Sequence, residues 1–145
     1  MSHGFRFAIT CVLTVLLGGA MGDGAYAQVS PTDWVLGSWT ANTRFPGANF
    51  PPWRLTFVRQ GNETRGISEN GANFVRAITD NFGVVSWQAW IAPQPIGRCA
   101  SQQGEWISAT TTIAPDHHTI TVYVPVRNGD TCQIGNTTVE TDLTR

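Results

Sequence analysis

Apolar and polar residues alternate with a period of two along much of the chain. Trp53, Leu55 and Phe57 fall on one side of an extended backbone, and Arg54 and Thr56 on the other. Ile120, Val122, Val124 and Val126 likewise oppose Thr119, Thr121 and Tyr123. A strand sends successive side chains to opposite faces, so this spacing predicts strands with one buried face. No stretch repeats apolar residues at helical spacing for more than a turn. Turn-forming residues punctuate the pattern: Gly61-Asn62, Asn70-Gly71, Asp80-Asn81-Phe82-Gly83 and Ala114-Pro115-Asp116-His117-His118. They delimit eight predicted strands, near residues 37–44, 53–60, 64–69, 73–79, 84–92, 105–113, 119–127 and 136–143.

Eight sequential strands with mostly short connections predict an all-β, eight-stranded antiparallel up-and-down barrel. Closure removes exposed sheet edges. A sandwich is the competing architecture, but it ordinarily needs a longer crossover than any connection here. In such a barrel the connections after the first, third, fifth and seventh strands share one end, the mouth. Cys99 follows the fifth strand and Cys132 the seventh, so both fall there. A disulfide needs Cα atoms within about 7 Å, and this topology allows it. A barrel of this size encloses room for one small ligand.

The first 27 residues interrupt the strand pattern. His3 and Arg6 precede an apolar run from Phe7 to Leu17, and Ala25-Tyr26-Ala27 supplies a small-x-small cleavage pattern. Residues 1–27 therefore read as a cleaved secretory signal peptide, leaving 28–145 as a single domain. The run is too short to span a bilayer about 30 Å thick, so no membrane association is expected after cleavage. Cys11 leaves with the leader. The even pair Cys99 and Cys132 in an exported chain then reads as a disulfide. Secreted or periplasmic localisation follows. A basic set made only of arginine suggests a GC-rich bacterial source.

Composition narrows the function classes. The chain has 145 residues, of which 13% are charged, with formal net charge −1. Nothing here makes a basic field for phosphates, so no nucleic-acid partner is expected. Serines occupy no nucleophile elbow. The only histidine cluster, Asp116-His117-His118, reads as a turn rather than a metal site, because adjacent residues on an extended chain face opposite ways. No catalytic residue, metal or cofactor is assigned. Six tryptophans stand out. Aromatic walls with a few polar groups are what small-molecule pockets use.

The opening Leu36-Gly37-Ser38-Trp39-Thr40 resembles the Gly-x-Trp first strand of lipocalins and avidins. Trp87, Trp90 and Trp106 on the fifth and sixth strands resemble the tryptophans that avidins place around their ligand. The resemblance implies a barrel binding a small molecule through Trp39, Asn42, Thr43, Trp87, Trp90, Trp106 and Thr137. It also implies self-association through outer faces, giving a homo-oligomer. In lipocalins a basic residue near the end stacks on the opening Trp, and Arg145 would fill that role. The biotin contacts of avidins are largely replaced: Ala41 stands for the first-strand Asn, Ile67 and Ser68 for the Tyr, and Thr137 for the Asp. Asn42 lies one step away, on the opposite face unless a bulge intervenes. A ligand other than biotin is the expectation. Trp87 and Trp90, three apart, point to opposite faces of a regular strand. The alternative is a protein-interaction barrel, such as a periplasmic protease inhibitor acting through Gln28–Trp34. A native mass spectrum of the exported protein should show a chain beginning at Gln28, lighter by two hydrogens. Its charge states report the oligomer, and no adduct should form with biotin.

Overall fold

The computed structural model describes residues 29–94 and 97–145; the predicted leader lies outside them. The described chain is all-β apart from one 3-10 turn at Asp33–Val35. Its strands are β1 (Gly37–Phe45), β2 (Ala48–Asn49), β3 (Trp53–Gln60), β4 (Glu63–Ser68) and β5 (Asn73–Thr79). There follow β6 (Val85–Ile91), β7 (Glu105–Ser108), β8 (Thr110–Ile113), β9 (Thr119–Arg127) and β10 (Ile134–Thr144). All pairings are antiparallel, and the sheet runs β7-β6-β5-β4-β3-β1-β10-β9-β8, with β2 as a short flap on β1.

The two ends of this path, β7 and β8, are consecutive in the chain and separated only by Ala109. Ala109 N–H donates to the Trp87 carbonyl on β6 at 3.0 Å, while β8 pairs with β9. The sheet thus curls back on itself as a nearly closed barrel of nine strands rather than eight. The expected strand at 105–113 is the difference. Its first half hydrogen-bonds one neighbour and its second half the other. Closing a sheet requires the strands to tilt and stagger, and this run hands over its partner at Ala109.

The alternation read from the sequence becomes the inside and outside of the barrel. Trp39 and Ala41 on β1, Leu55 and Phe57 on β3, and Val75 and Ala77 on β5 are buried inward. Ala89 and Ile91 on β6, Ile120 and Val122 on β9, and Val139, Thr141 and Leu143 on β10 complete the set. Gly66 on β4 leaves room for the side chains opposite: a Cβ there would lie 2.8 Å from Leu55 Cδ1 and 2.9 Å from Phe57 Cε1. The β4–β5 register slips just after Gly66, a bulge that brings Phe74 against the core beside Trp53.

Two different devices finish the ends. At the mouth, the Cys99–Cys132 disulfide joins loops 92–104 and 128–133, with Cα atoms 5.3 Å apart. A loop of this length gives about 3–4 kcal/mol in the chain-entropy model. Arg127 reinforces it, donating to the Cys132 carbonyl at 2.7 Å and pairing with Glu105 at 3.0 Å. At the opposite end Trp39, 1% exposed, plugs the base. Its indole N–H donates to the Val35 carbonyl at 2.7 Å, and the Arg145 guanidinium lies 4.8 Å from its ring centre. Arg145 N–H donates to the His118 carbonyl at 3.2 Å, which keeps the last residue in place. Replacing Gly66→Ala should destabilise the fold by about 1–3 kcal/mol through overpacking. Urea unfolding checks this, and a variant as stable as the parent would mean that Leu55 and Phe57 have room to move.

Candidate functional site

The residues singled out in the sequence do not converge on one wall. Thr43 and Trp87 face inward. Thr43 Oγ1 accepts from Trp53 Nε1 at 3.1 Å and lies 3.1 Å from Thr141 Oγ1. Trp87 packs edge-on against Phe57, with ring centres 6.3 Å apart. Phe74 meets Trp53 edge-on at 4.9 Å. These side chains occupy the interior above the Trp39 plug. Asn42 falls between inward-facing Ala41 and Thr43, on the outer face opposite Asp142. Thr137 is exposed, where the β9–β10 register slips between Ile134 and Thr138.

Trp90 and Trp106 lie outside the barrel. Their strand neighbours Ala89 and Ile91 are buried inward, and the two indoles pair across β6 and β7 with centres 5.3 Å apart. The Arg76 guanidinium covers Trp106 at 4.4 Å, and Arg65 stands at 5.7 Å. Glu63 holds both arginines, and Arg76 Nε donates to Gln88 Oε1 at 2.8 Å. Gly104 packs on Trp90 so closely that a Cβ there would fall 2.3 Å from its Cζ2. Both rings are therefore packed on the outside by this chain's own loop and arginines. His117 is also engaged, stacked on Trp34 with ring centres 4.3 Å apart.

A cleft of about 650 Å³ lies at the closed end. One wall is the strap 29–36, which crosses under the barrel. Asp33 Oδ2 accepts from Ser30 N–H at 2.8 Å and starts the 3-10 turn. Thr32 Oγ1 meets Thr64 Oγ1 at 2.8 Å, both fully buried. Arg59, one step along the inward face from Phe57, reaches down to ion-pair with Asp33. The other wall is made by Asn62, Thr79, Asp80, Asn81 and Gly83. Asp80 fixes its own turn: Oδ1 accepts from Phe82 N–H at 2.8 Å and from Val84 N–H at 2.9 Å. Gly83 closes that turn at φ +80°, a conformation favouring glycine.

Polar side chains line this cleft, and exposed apolar ones occur in the segments that form it. Thr79 Oγ1 is buried without a partner among the described residues. The turn presents Phe82 at 92% exposure and Val84 at 62%, and Val29 on the strap is 81% exposed. Two smaller clefts are about 370 Å³, beside Arg44 and Tyr123, and about 270 Å³, beside Trp53 at the mouth rim. None of the three is lined by Trp39, Asn42, Thr43, Trp87, Trp90, Trp106 or Thr137. The sequence reading did not single out Asp33, Arg59, Thr79 or Asn81, which line this cleft, and their residue types carried no signal beyond turn chemistry.

Comparison with family models, with curated proteins and with solved structures finds no match to this chain. Among the described residues no helix is long and apolar enough to cross a membrane.

The strap's attachment is testable. Thr32→Val or Thr64→Val each leaves a buried hydroxyl without this partner and should cost about 1–3 kcal/mol. The double variant should lose less than the sum, since it removes both ends of one interaction. Additive losses in thermal or urea unfolding would show that the two hydroxyls do not act together.

Proposed function

We propose that this protein is an exported, non-enzymatic barrel that binds one small ligand of mixed polarity. Its seat is the cleft at the closed end rather than the mouth. The carrying observation is the cleft itself, about 650 Å³, lined by both polar and apolar side chains. Ligand pockets commonly span about 300–1,000 Å³ and combine apolar surface with a few placed polar groups. Arg59, Asp33 and Asn62 supply such groups here, and Val29 supplies apolar surface. No histidine or cysteine stands among the described lining residues, and the Asp33 carboxylate is held by Arg59 and the Ser30 amide. That lining suits recognition better than bond-making. Export rests on the leader pattern of residues 1–27 and agrees with the Cys99–Cys132 disulfide.

Two features favour this seat and this class. Above Trp39 the interior is taken up by Trp53, Phe74 and Trp87, so a ligand at the mouth would have to displace packed rings. The N-terminal segment is bound to the protein's own base through Thr32 and Asp33. An inhibitor that inserts this segment into an enzyme would first have to break those contacts, so the ligand-binding reading is preferred. The avidin-like and lipocalin-like resemblance remains compatible with it through the barrel and the Arg145–Trp39 contact. Biotin is not proposed. Small molecules released from the exported protein by heat and identified by mass spectrometry test the reading. Asn62→Trp, which fills the cleft from an exposed turn, should abolish the released species, and Thr137→Trp at the mouth should not. Loss only with Thr137→Trp would return the seat to the mouth. Loss with neither would remove the binding function.

A further inference from the structure

We infer that Asn128 is a site of spontaneous covalent modification. The Gly129 amide nitrogen attacks its side-chain amide, and the residue converts through a succinimide to aspartate and isoaspartate. The co-reactant is water, and the site stands apart from the closed-end cleft.

The sequence offers two pairs for this chemistry. Asn70 and Asn128 are each followed by glycine, whose amide no side chain shields; the other asparagines precede Thr, Phe or Glu. Asparagine is thermolabile where such an attack is open. The fold separates the two pairs. Asn70-Gly71 lies in the turn between β4 and β5, and Gly71 N–H donates to the Ser68 carbonyl at 2.8 Å. That bond keeps the proton on the nitrogen and must break before the nitrogen can turn onto Asn70 Cγ. Asn128-Gly129 opens the loop between β9 and β10. Gly129 N–H has no acceptor among the described residues, and both Asn128 and Gly129 are exposed to water.

The loop around Asn128 also positions the reacting groups. Asn128 N–H donates to the Gln133 carbonyl at 2.8 Å, and the Asn128 carbonyl accepts from Cys132 N–H at 2.9 Å. Cys132 is fixed in turn by its disulfide to Cys99. The Asn128 backbone is thus anchored, while Gly129, with no Cβ, keeps its freedom to rotate. Asn128 Oδ1 accepts from Asp130 N–H at 2.8 Å and from Thr131 N–H at 3.0 Å. These bonds draw the side chain forward along the backbone, towards the nitrogen that attacks it. They also meet the negative charge that develops on Oδ1 as that nitrogen adds to Cγ. Donors fixed where charge develops lower the barrier to such an addition. Asn70 Oδ1 has one backbone amide in that position, Ala72 N–H at 3.1 Å.

The steps balance without an oxidant or a reductant. Gly129 N loses its proton to hydroxide and bonds to Asn128 Cγ. The Cγ–Nδ2 bond breaks, and Nδ2 takes a proton from water and leaves as ammonia. Water then adds to one of the two ring carbonyls. Opening at Cγ restores the main chain and leaves aspartate. Opening at the main-chain carbon carries the backbone through Cβ and leaves isoaspartate. Either product places a new carboxylate beside Asp130, on the loop whose Cys132 closes the mouth.

The test incubates the oxidised mature protein in ¹⁸O-labelled water at mildly alkaline pH and maps its peptides by mass spectrometry. Label should enter at Asn128 about three- to tenfold faster than at Asn70, the factor set by one hydrogen bond that must first break. Methylation by an isoaspartyl methyltransferase should mark the same peptide. Gly129→Ala places its methyl group in open space at a backbone position outside the left-handed region. It should slow conversion at Asn128 severalfold and leave Asn70 unchanged. In the reduced, unfolded protein the two pairs should convert at similar rates. No label at Asn128 in the folded protein, or conversion at Asn70 just as fast, would overturn the assignment. Conversion undiminished by Gly129→Ala would overturn attack by that amide. A preference for Asn128 that persists on unfolding would trace it to local sequence and overturn the role given to the fold.

Discussion

One hydrogen bond organises the closed end: the indole N–H of Trp39 donating to the carbonyl of Val35. A tryptophan 1% exposed must find a partner for that N–H or forfeit the free energy of an unmet buried donor. No strand can supply it, because strand carbonyls are spent on the sheet. The partner comes from the strap, so the chain before β1 must turn back under the barrel. That turn brings Thr32 to Thr64 and Asp33 to Arg59, and it lays Trp34 edge-on to Trp39. Arg145 covers the same indole after β10. Both termini of the described chain are thus fastened to one ring. The cleft under the barrel is a consequence of where this strap has to run.

The mouth is built on a different logic. The run from Glu105 to Ile113 changes partners at Ala109, so each of its halves is paired on one side only within the sheet. Half-paired strands at a seam invite slippage and outside pairing. Two contacts answer this: Gly104 packs on Trp90, and Cys99 is joined to Cys132. Trp106 is clamped between Trp90 and Arg76 on the same outer surface. The aromatic residues next to the seam are fasteners. A prosaic role for Trp90 and Trp106 follows from the closure problem itself.

Strand positions were legible because period-two alternation reports directly on a two-faced sheet. The 53–60 and 119–127 runs show this, as does the opposition of Trp87 to Trp90. The disulfide was legible because topology puts alternate connections at one end. Partner switching at Ala109 was not, since the alternation continues through it and alternation says nothing about which neighbour is bonded. The ligand-facing assignments borrowed from the family resemblance spread over inside, outside and base for a related reason. Resemblance to a motif transfers residue types, whereas orientation depends on register and on local bulges such as the one at Phe74. The cleft was illegible because its members come from a strap, a strand end and two turns. In sequence Gly61-Asn62 and Asp80-Asn81-Phe82-Gly83 carry only turn chemistry, and their convergence is set by barrel closure.

The placement of the six tryptophans bears on where function sits. Trp34 stacks on His117, Trp39 plugs the base, Trp53 and Trp87 fill the interior, and Trp90 and Trp106 pack the outer surface. Each makes packing contacts within the protein, so the aromatic excess does not by itself mark a ligand wall. The buried side-chain atoms without a partner among the described residues are Thr79 Oγ1, Arg65 Nε and Arg127 Nε, all on strands. A hydroxyl buried without a partner costs about 1–3 kcal/mol, and folding alone recovers nothing from it. Thr79 carries that cost beside a rigid turn that also keeps Phe82 in water. Either feature alone is a small local defect. Both belong to the segment from Thr79 to Val84 that borders the cleft, and loops held by a rigid scaffold are where binding groups concentrate. On the proposed reading the barrel is a frame whose closed end, sealed by Trp39, would support the binding surface.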